Sequence, residues 1–306
     1  MTTGTATRTT EARLLFLHAQ TPVHPGSGTA IDVVDLPVQR ERHTHWPLIP
    51  GTSLKGILRD ACRPARGEDG NGKKWLAVFG PEQSNAEKHA GALTITDARL
   101  LAFPVRSLRG VFAWATCPSV LHRLARDLRM VGAADGRLED ALKSLDPNAV
   151  LCAKDSPLLV DGNDIVLEEY DFSRNGDCES IREWLAQNAV PRDGFTDVEL
   201  ARRLVVLPDD TFTHFAQHAT EVVARIGLDY ERKTVKQGAL FYQEFLPTET
   251  ILYSVVLANR SRSKDCSLSA AEVLEFVEQG LPPVIQVGGD ETTGKGLCAV
   301  RLAAVS

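Results

Sequence analysis

The sequence predicts an α+β fold built on one antiparallel sheet, ferredoxin-like at heart. Three observations predict it. Strand-like apolar runs recur from one end of the chain to the other. Segments of helical period group between them in the order strand, helix, strands, inserted helices, strands, helix, strand. No internal repeat or low-complexity linker divides the 306 residues, whose 43% hydrophobic content is enough for a substantial core.

Taken in order, MTTGTATRTT has no apolar core of the kind a signal peptide carries and reads as a disordered tail over residues 1–10. Leu14 to His18 is a strand. IDVVDLPVQRERHTH, with Pro37 and little periodicity, is a long loop. After the breaker Pro50-Gly51, Thr52 or Ser53 is positioned to cap a helix whose apolar face is Leu54, Ile57, Leu58 and Ala61. Gly56 inside that helix costs about 1 kcal/mol relative to Ala, which a close backbone approach would justify. RPARGEDGNGKKW reads as a polar, glycine-rich loop. GALTITDARLLAFPV is one strand and VFAWATCP another. PSVLHRLARDLRM, IREWLAQN and DTFTHFAQHATEV have helical period, so residues of about 105–200 read as a helical insertion. RIGLDYERKTVKQGALFYQEFLP is a strand, a polar turn and a strand, a hairpin over about 222–246. TILYSVVLANR is a strand. Ser269-x-x-Glu272 is a capping box opening a helix that ends at Gly280, and PPVIQVGG leads as a strand into a glycine-rich segment.

That segment, VGGDETTGKGLC, resembles a phosphate-binding loop. Gly289 to Lys295 has the G-x-x-x-x-G-K spacing of a nucleotide triphosphate loop. Gly296 stands where the magnesium-binding Ser or Thr belongs, and LCAVRLAAVS after it suits a closing strand, not the helix such a loop requires. A hairpin connection and a loop lying on a nucleic-acid backbone, with Thr292, Thr293, Lys295 and peptide N–H groups as donors, both fit.

No run of eighteen apolar residues exists, so no membrane span is expected. Six cysteines without a CxxC pair argue against a zinc ribbon or a disulfide framework and predict a reducing cytoplasm. The net charge of −6 alone argues against nucleic acid, but it is unevenly spread. Between Leu36 and Arg66, Arg40, Arg42, Lys55, Arg59, Arg63 and Arg66 face only Glu41 and Asp60, a local balance of +4. Lys55, Arg59 and Arg63 recur every four residues along one helix face.

HPGSG (24–28), VVDLPVQRERHT (33–44), IPGTSLKGILR (49–59), GALFYQEFLP (238–247) and GGDETTGKG (288–296) together resemble the RAMP superfamily of CRISPR effector proteins. The likeness is closest to the backbone subunit of the type III-B Cmr complex. The resemblance implies a modified RNA-recognition fold with a β-hairpin thumb. It also implies copies of the chain stacked in a helical filament on a guide crRNA, other Cmr subunits as partners, and metal-dependent cutting of a bound single-stranded target RNA. The metal would be Mg2+ or Mn2+. Two other activities fit the same residues: a scaffold that does not cut, and a metal-independent guide-processing ribonuclease using histidines such as His43 and His45.

On the resemblance, Asp35 matches the aspartate with which the slicing members cut, as base or metal ligand; a turn cap before Pro37 is the structural alternative. Asp32 is a candidate second ligand or a solvated acid. His24 is a candidate general acid or a turn histidine. Glu244 is implied to approach a scissile phosphate, with an exposed strand position as its alternative. Arg40, Arg42, Lys55 and Arg59, the hairpin residues Arg225, Lys233 and Lys236, and Gly288, Gly289, Thr292, Thr293 and Lys295 are the candidate RNA contacts. Lys55, Arg59 and the glycine-rich segment are expected to form one cationic track, gripping phosphates while base pairing supplies specificity.

Overall fold

The computed structural model describes residues 10–28, 34–65, 69–82, 87–229 and 231–303. Asp32, Arg66 and residues 1–9 of the expected tail lie outside them; Thr10 already belongs to a strand. The elements run β1 (Thr10–Ala19), β2 (Leu48–Ile49), α1 (Gly51–Ala61), α2 (Asp69–Phe79), β3 (Leu93–Ile95), β4 (Ala98–Arg106), β5 (Phe112–Thr116), α3 (Pro118–Met130), α4 (Gly136–Lys143), β6 (Leu151–Cys152), β7 (Leu159–Val160), β8 (Asp164–Leu167), β9 (Tyr170–Ser173), α5 (Glu179–Asn188), α6 (Thr196–Arg203), β10 (Leu204–Val206), α7 (Asp209–His218), β11 (Glu221–Asp229), β12 (Thr234–Phe245), β13 (Ile251–Asn259), α8 (Ala270–Gly280), β14 (Val284–Gln286) and β15 (Leu297–Ala303).

The main sheet has the order β14-β15-β1-β13-β4-β5-β10-β6, with β2 on β4 and β3 on β13. Every pairing in it is antiparallel except β5 with β10. At its centre β1, α1, β4, β13, α8 and β15 follow one another as strand, helix, strand, strand, helix, strand. The run LLFLHA on β1 is buried without interruption, His18 included, because both faces of the sheet are covered. Leu15, Leu17 and Ala19 face one core with Leu54 and Leu58 of α1, Trp75 and Val78 of α2, and Val273, Leu274 and Val277 of α8. Leu14 and Phe16 face the other, with Leu121 and Leu124 of α3, Leu138 of α4, Trp184 and Leu185 of α5, and Phe212 and Phe215 of α7. Alternation on β1 thus decides which core a residue joins, not whether it is buried.

Five local expectations are corrected. The segment read as a polar loop is in part helix α2, because Trp75, Ala77, Val78 and Phe79 gain a core that outweighs the poor propensity of DGNG. Helix α1 begins one residue before Thr52. Its first N–H, that of Gly51, donates to Asp97 Oδ1 (2.7 Å), so a side chain from the link between β3 and β4 does the capping. The close backbone approach is also at Gly51, where a Cβ would lie 2.7 Å from the Ile95 carbonyl oxygen; nothing lies within 4 Å of one at Gly56. The long strand around 91–105 is two strands, β3 and β4, either side of Thr96 and Asp97. Residues 105–200 carry α3 to α5 together with strands β5 to β9. The capping box at Ser269 is formed as expected, with both reciprocal bonds present.

Strands β11 and β12 form a two-stranded sheet of their own, bulged between Ile226 and Leu228. Val222, Ile226, Leu228, Val235 and Leu240 on it are exposed. All six cysteines are free thiols, and among the described residues no helix is long and apolar enough to cross a membrane. Phe16, between the rings of Trp184 (6.3 Å) and Tyr253 (6.5 Å), ties the central strand to the α3–α7 layer. Phe16→Ala is expected to cost about 3–5 kcal/mol of stability, read from the shift in a urea unfolding midpoint.

Candidate functional site

The outward edge of β12 organises the site. In an antiparallel ladder, alternate residues turn their peptide groups away from the partner strand and need other partners. At Tyr242 and Glu244 the loop after β1 supplies them. Leu36 N–H donates to the Tyr242 carbonyl (3.0 Å), and Glu244 N–H donates to the Leu36 carbonyl (3.0 Å). The Tyr242 N–H donates to Asp35 Oδ2 at 2.7 Å. The exposed carboxylate of Asp35 therefore stands where a third strand would place a carbonyl oxygen. The bond is not the local one a turn cap before Pro37 would make; it reaches a strand 207 residues away and fixes the orientation of the carboxylate against the hairpin.

His24 is buried. Its Nδ1 donates to the Glu244 carbonyl (2.7 Å), and its Nε2 lies 2.8 Å from where a Cβ on Gly26 would be. Glu244 is buried too, and both of its oxygens are occupied. Oε2 accepts from Val38 N–H (2.9 Å), while Oε1 accepts from Thr220 Oγ1 (2.7 Å) and from Arg40. The Arg40 guanidinium also donates to the carbonyls of His45 and Ala216. Glu244, buried, and Arg40, half-buried, are thus a clamp between the loop, the end of α7 and β12, in place of the exposed carboxylate and free cation expected at these positions.

The glycine-rich segment approaches the same strand from the other side. Gly288 has a φ of 84°, and a Cβ there would lie 2.2 Å from the His24 carbonyl oxygen, so only glycine lets the two backbones meet. Asp290, also left-handed at φ 64°, turns its carboxylate onto the hairpin. Oδ1 accepts from Arg225 (2.9 Å) on β11, and Oδ2 accepts from Gln243 Nε2 (2.6 Å) on β12. Lys295 and Arg225 both lie over the ring of Phe245, at 5.2 and 5.5 Å. Burial pushes the Glu221 carboxyl up, and the nearby Lys295 charge opposes the shift. The Thr293 hydroxyl donates to the Asp290 carbonyl, whereas Thr292 is exposed. Strand β15 follows, as the sequence predicts, in place of the helix that a nucleotide triphosphate loop requires.

His24, Asp35, Glu244, Arg40, Arg225, Gly288, Gly289 and Lys295 are therefore gathered at the root of the hairpin. Beside Asp35 a cleft of about 510 Å3 opens, lined among others by Val34, Pro37, Arg42, His45, Gln217 and His218. Lys233 and Lys236 are at the far end of the hairpin. Lys55 and Arg59 are elsewhere, and the single track expected of them is corrected. The Lys55 ammonium donates to the Leu93 carbonyl (2.9 Å), and Leu93 pairs through Ala258 with Glu11 at the start of β1. The glycine-rich segment meets the chain at Gln20 and Pro22, roughly 30 Å of strand away. Burial first, and then the charge of Arg59, hold the Lys55 ammonium below its ordinary range. Arg59 donates to the Gly80 carbonyl and stacks on Trp75 at 4.3 Å. Sequence reasoning missed Gln243 and Asp290. The signal was a polar residue inside FYQEF and an acid between glycines, both unremarkable until a partner is known.

Glu244→Ala leaves Arg40 half-buried among carbonyls without its anion. A loss of about 3 kcal/mol is expected, together with faster amide exchange at Val38, read by denaturant melts and hydrogen exchange.

The RAMP superfamily model matches residues 16–299. Over 97% of its length the chain is 38% identical to the CRISPR system Cmr endoribonuclease Cmr4 of Pyrococcus furiosus, of which it covers 97%. The crystal structure of oligomeric Cmr4 from Pyrococcus furiosus is similar with a TM-score of 0.72 at 30% identity, over 97% of this chain and 99% of that one. A chain of the type III-B Cmr-β complex bound to cognate target RNA shares the fold, with a TM-score of 0.74 at 22% identity over 95% and 96% of the two chains. An α+β sheet accompanied by a separate two-stranded hairpin, a glycine-rich loop at the hairpin root and a family match across nearly all of the sequence lead to one conclusion: the chain belongs to the RAMP superfamily, in its Cmr4 family.

Proposed function

We propose that this chain is the guide-RNA-binding backbone subunit of a type III-B interference complex, and that it cuts the bound target RNA with Asp35. The observation that carries the reading is the Asp35 carboxylate, exposed at the hairpin root and held through Oδ2 by the Tyr242 N–H. The name of the 38% identical relative, an endoribonuclease, supports the reaction; the oligomeric state of the 30% identical crystal structure supports stacking of copies. Guide crRNA, single-stranded target RNA and the other Cmr subunits are the partners this reading requires.

RNA carries its own nucleophile. The 2′-hydroxyl attacks the adjacent phosphorus, the bond to the 5′-oxygen breaks, and the hydroxyl proton needs an acceptor. An oriented carboxylate serves as that acceptor or as a ligand. Among the described residues no group of three His, Cys, Asp or Glu comes together to hold a metal. A cation shared between one carboxylate and substrate phosphates needs no such cluster, and Asp35 is a donor of that type. When bound, Mg2+ or Mn2+ would neutralise charge developing on the phosphate. Lys295, Thr292 and the peptide group of Gly288 are assigned to guide phosphates, with Arg42 at the cleft beside Asp35; the Gly289 N–H is taken by the His24 carbonyl and serves to hold the segment. Lys55 and Arg59 are assigned to a separate stretch of backbone.

A scaffold that does not cut draws on the same Asp35 bond, since a carboxylate that only closes the edge of β12 would make it too. Asp35→Ala in the assembled complex separates the two. Assembly retained with target cleavage down by about 10²–10⁴-fold, and wild-type cleavage abolished by EDTA and restored by Mg2+ or Mn2+, is the expected result. Cleavage by Asp35→Ala at the wild-type rate refutes the catalytic assignment. Lys295→Ala is expected to weaken guide binding and to lower the slope of log K against log salt by about 0.7, measured by filter binding from 50 to 300 mM salt.

A further inference from the structure

Three consecutive residues of β12 each hold a different part of the site. Tyr242 holds Asp35 through its N–H. Gln243, whose side chain is almost fully buried, holds the glycine-rich segment through Asp290. Glu244 holds the loop after β1 through its carbonyl to His24 and its carboxylate to Val38 and Arg40. The phosphate-facing segment and the carboxylate are thus set against one another through one residue of strand and one side-chain bond.

We propose that Asp290 is a positioning residue for RNA cleavage: its bridge to Gln243 and Arg225 fixes the height of the glycine-rich segment relative to Asp35. The proposal rests on the reading of Asp35 as the cutting residue. The bridge is built for rigidity. One carboxylate takes a donor from each strand of the hairpin, so neither strand shifts against the loop without breaking a charge-assisted bond or a bond to a buried amide. Arg225 is held from a second side by the ring of Phe245. Asp290 also supplies the turn itself, since its left-handed backbone suits Asp, Asn or Gly and few other residues. A phosphate seated on residues 288–296 is then located by the same strand that locates the Asp35 carboxylate. Cleavage needs the 2′-hydroxyl, phosphorus and leaving oxygen in line, and a displacement of about 1 Å costs about 10²-fold in rate.

The two functions of Asp290 are separable. Asp290→Gly keeps the left-handed turn and removes the carboxylate. Asp290→Asn keeps the turn and an acceptor oxygen. The complex is assembled with each variant, with wild type and with Asp35→Ala. Guide and target dissociation constants, single-turnover cleavage at saturating target, and amide exchange at Tyr242 and Glu244 are measured. For Asp290→Gly, cleavage about 10- to 100-fold slower is expected, with dissociation constants within about threefold of wild type and faster exchange at both amides. Asp290→Asn is expected to recover most of the rate. Wild-type cleavage by Asp290→Gly overturns the proposal, as does a loss of guide affinity that matches the loss of rate, which would make Asp290 a plain binding contact. If Asp35→Ala cuts normally, the catalytic reading fails on its own. Faster exchange at Tyr242 and Glu244 in Asp290→Gly would still report the bridge in that case; unchanged exchange would sink it.

Discussion

The site depends on the unpaired edge of one strand. Strand β12 gives one edge to β11 and is left, from Tyr242 to Glu244, with peptide groups that must be satisfied away from it. An edge of this kind is an aggregation risk if left open. Here it is closed by the protein's own loop, and closing it brings Asp35, His24 and the glycine-rich segment within bonding distance of three adjacent residues. A requirement of backbone chemistry, that no peptide group near the interior goes unpaired, is thereby also what assembles the chemistry.

Charge is handled in two ways at this root. Glu244 and Arg40 neutralise each other in a nearly closed setting, with carbonyl and hydroxyl groups completing their bonds. Such a pair contributes little net stability but tolerates no unilateral change, so it fixes geometry. Asp35 has no such cationic partner in the contact that anchors it; a peptide N–H holds one oxygen and leaves the charge unneutralised. Two carboxylates a few residues apart in space are thus divided between support and exposure by their surroundings.

Much of the fold was legible because the strongest signals were local: the apolar run of β1, the capping box at Ser269 and the polar turn of the hairpin all depend on near neighbours in sequence. What was not legible depends on distant ones. Helix α2 forms from a glycine-containing polar stretch because Trp75 and Phe79 find a core supplied by α1 and α8. The cap of α1 comes from Asp97 across the sheet. Asp35 and the glycine-rich segment were found through their motif. Glu244 and Arg40 were found in the same way, but their burial was invisible, since nothing in FYQEF or VQRER reveals which side chain turns inward. The separation of Lys55 from the glycine-rich segment was equally hidden, because their alignment depends on the registers of β3, β13 and β1 together.

The hairpin extends from this root as a ribbon only two strands thick, with Val222, Ile226, Leu228 and Leu240 in contact with solvent along it. A ribbon of that sort has no core of its own, so it behaves as a lever hinged where it joins the body. Nine residues of β11 span roughly 30 Å, so a rotation of about 6° at the root would carry Lys233 and Lys236 through about 3 Å. The bonds that Asp290 and Asp35 make to the two strands therefore bear on how steadily the far end is aimed.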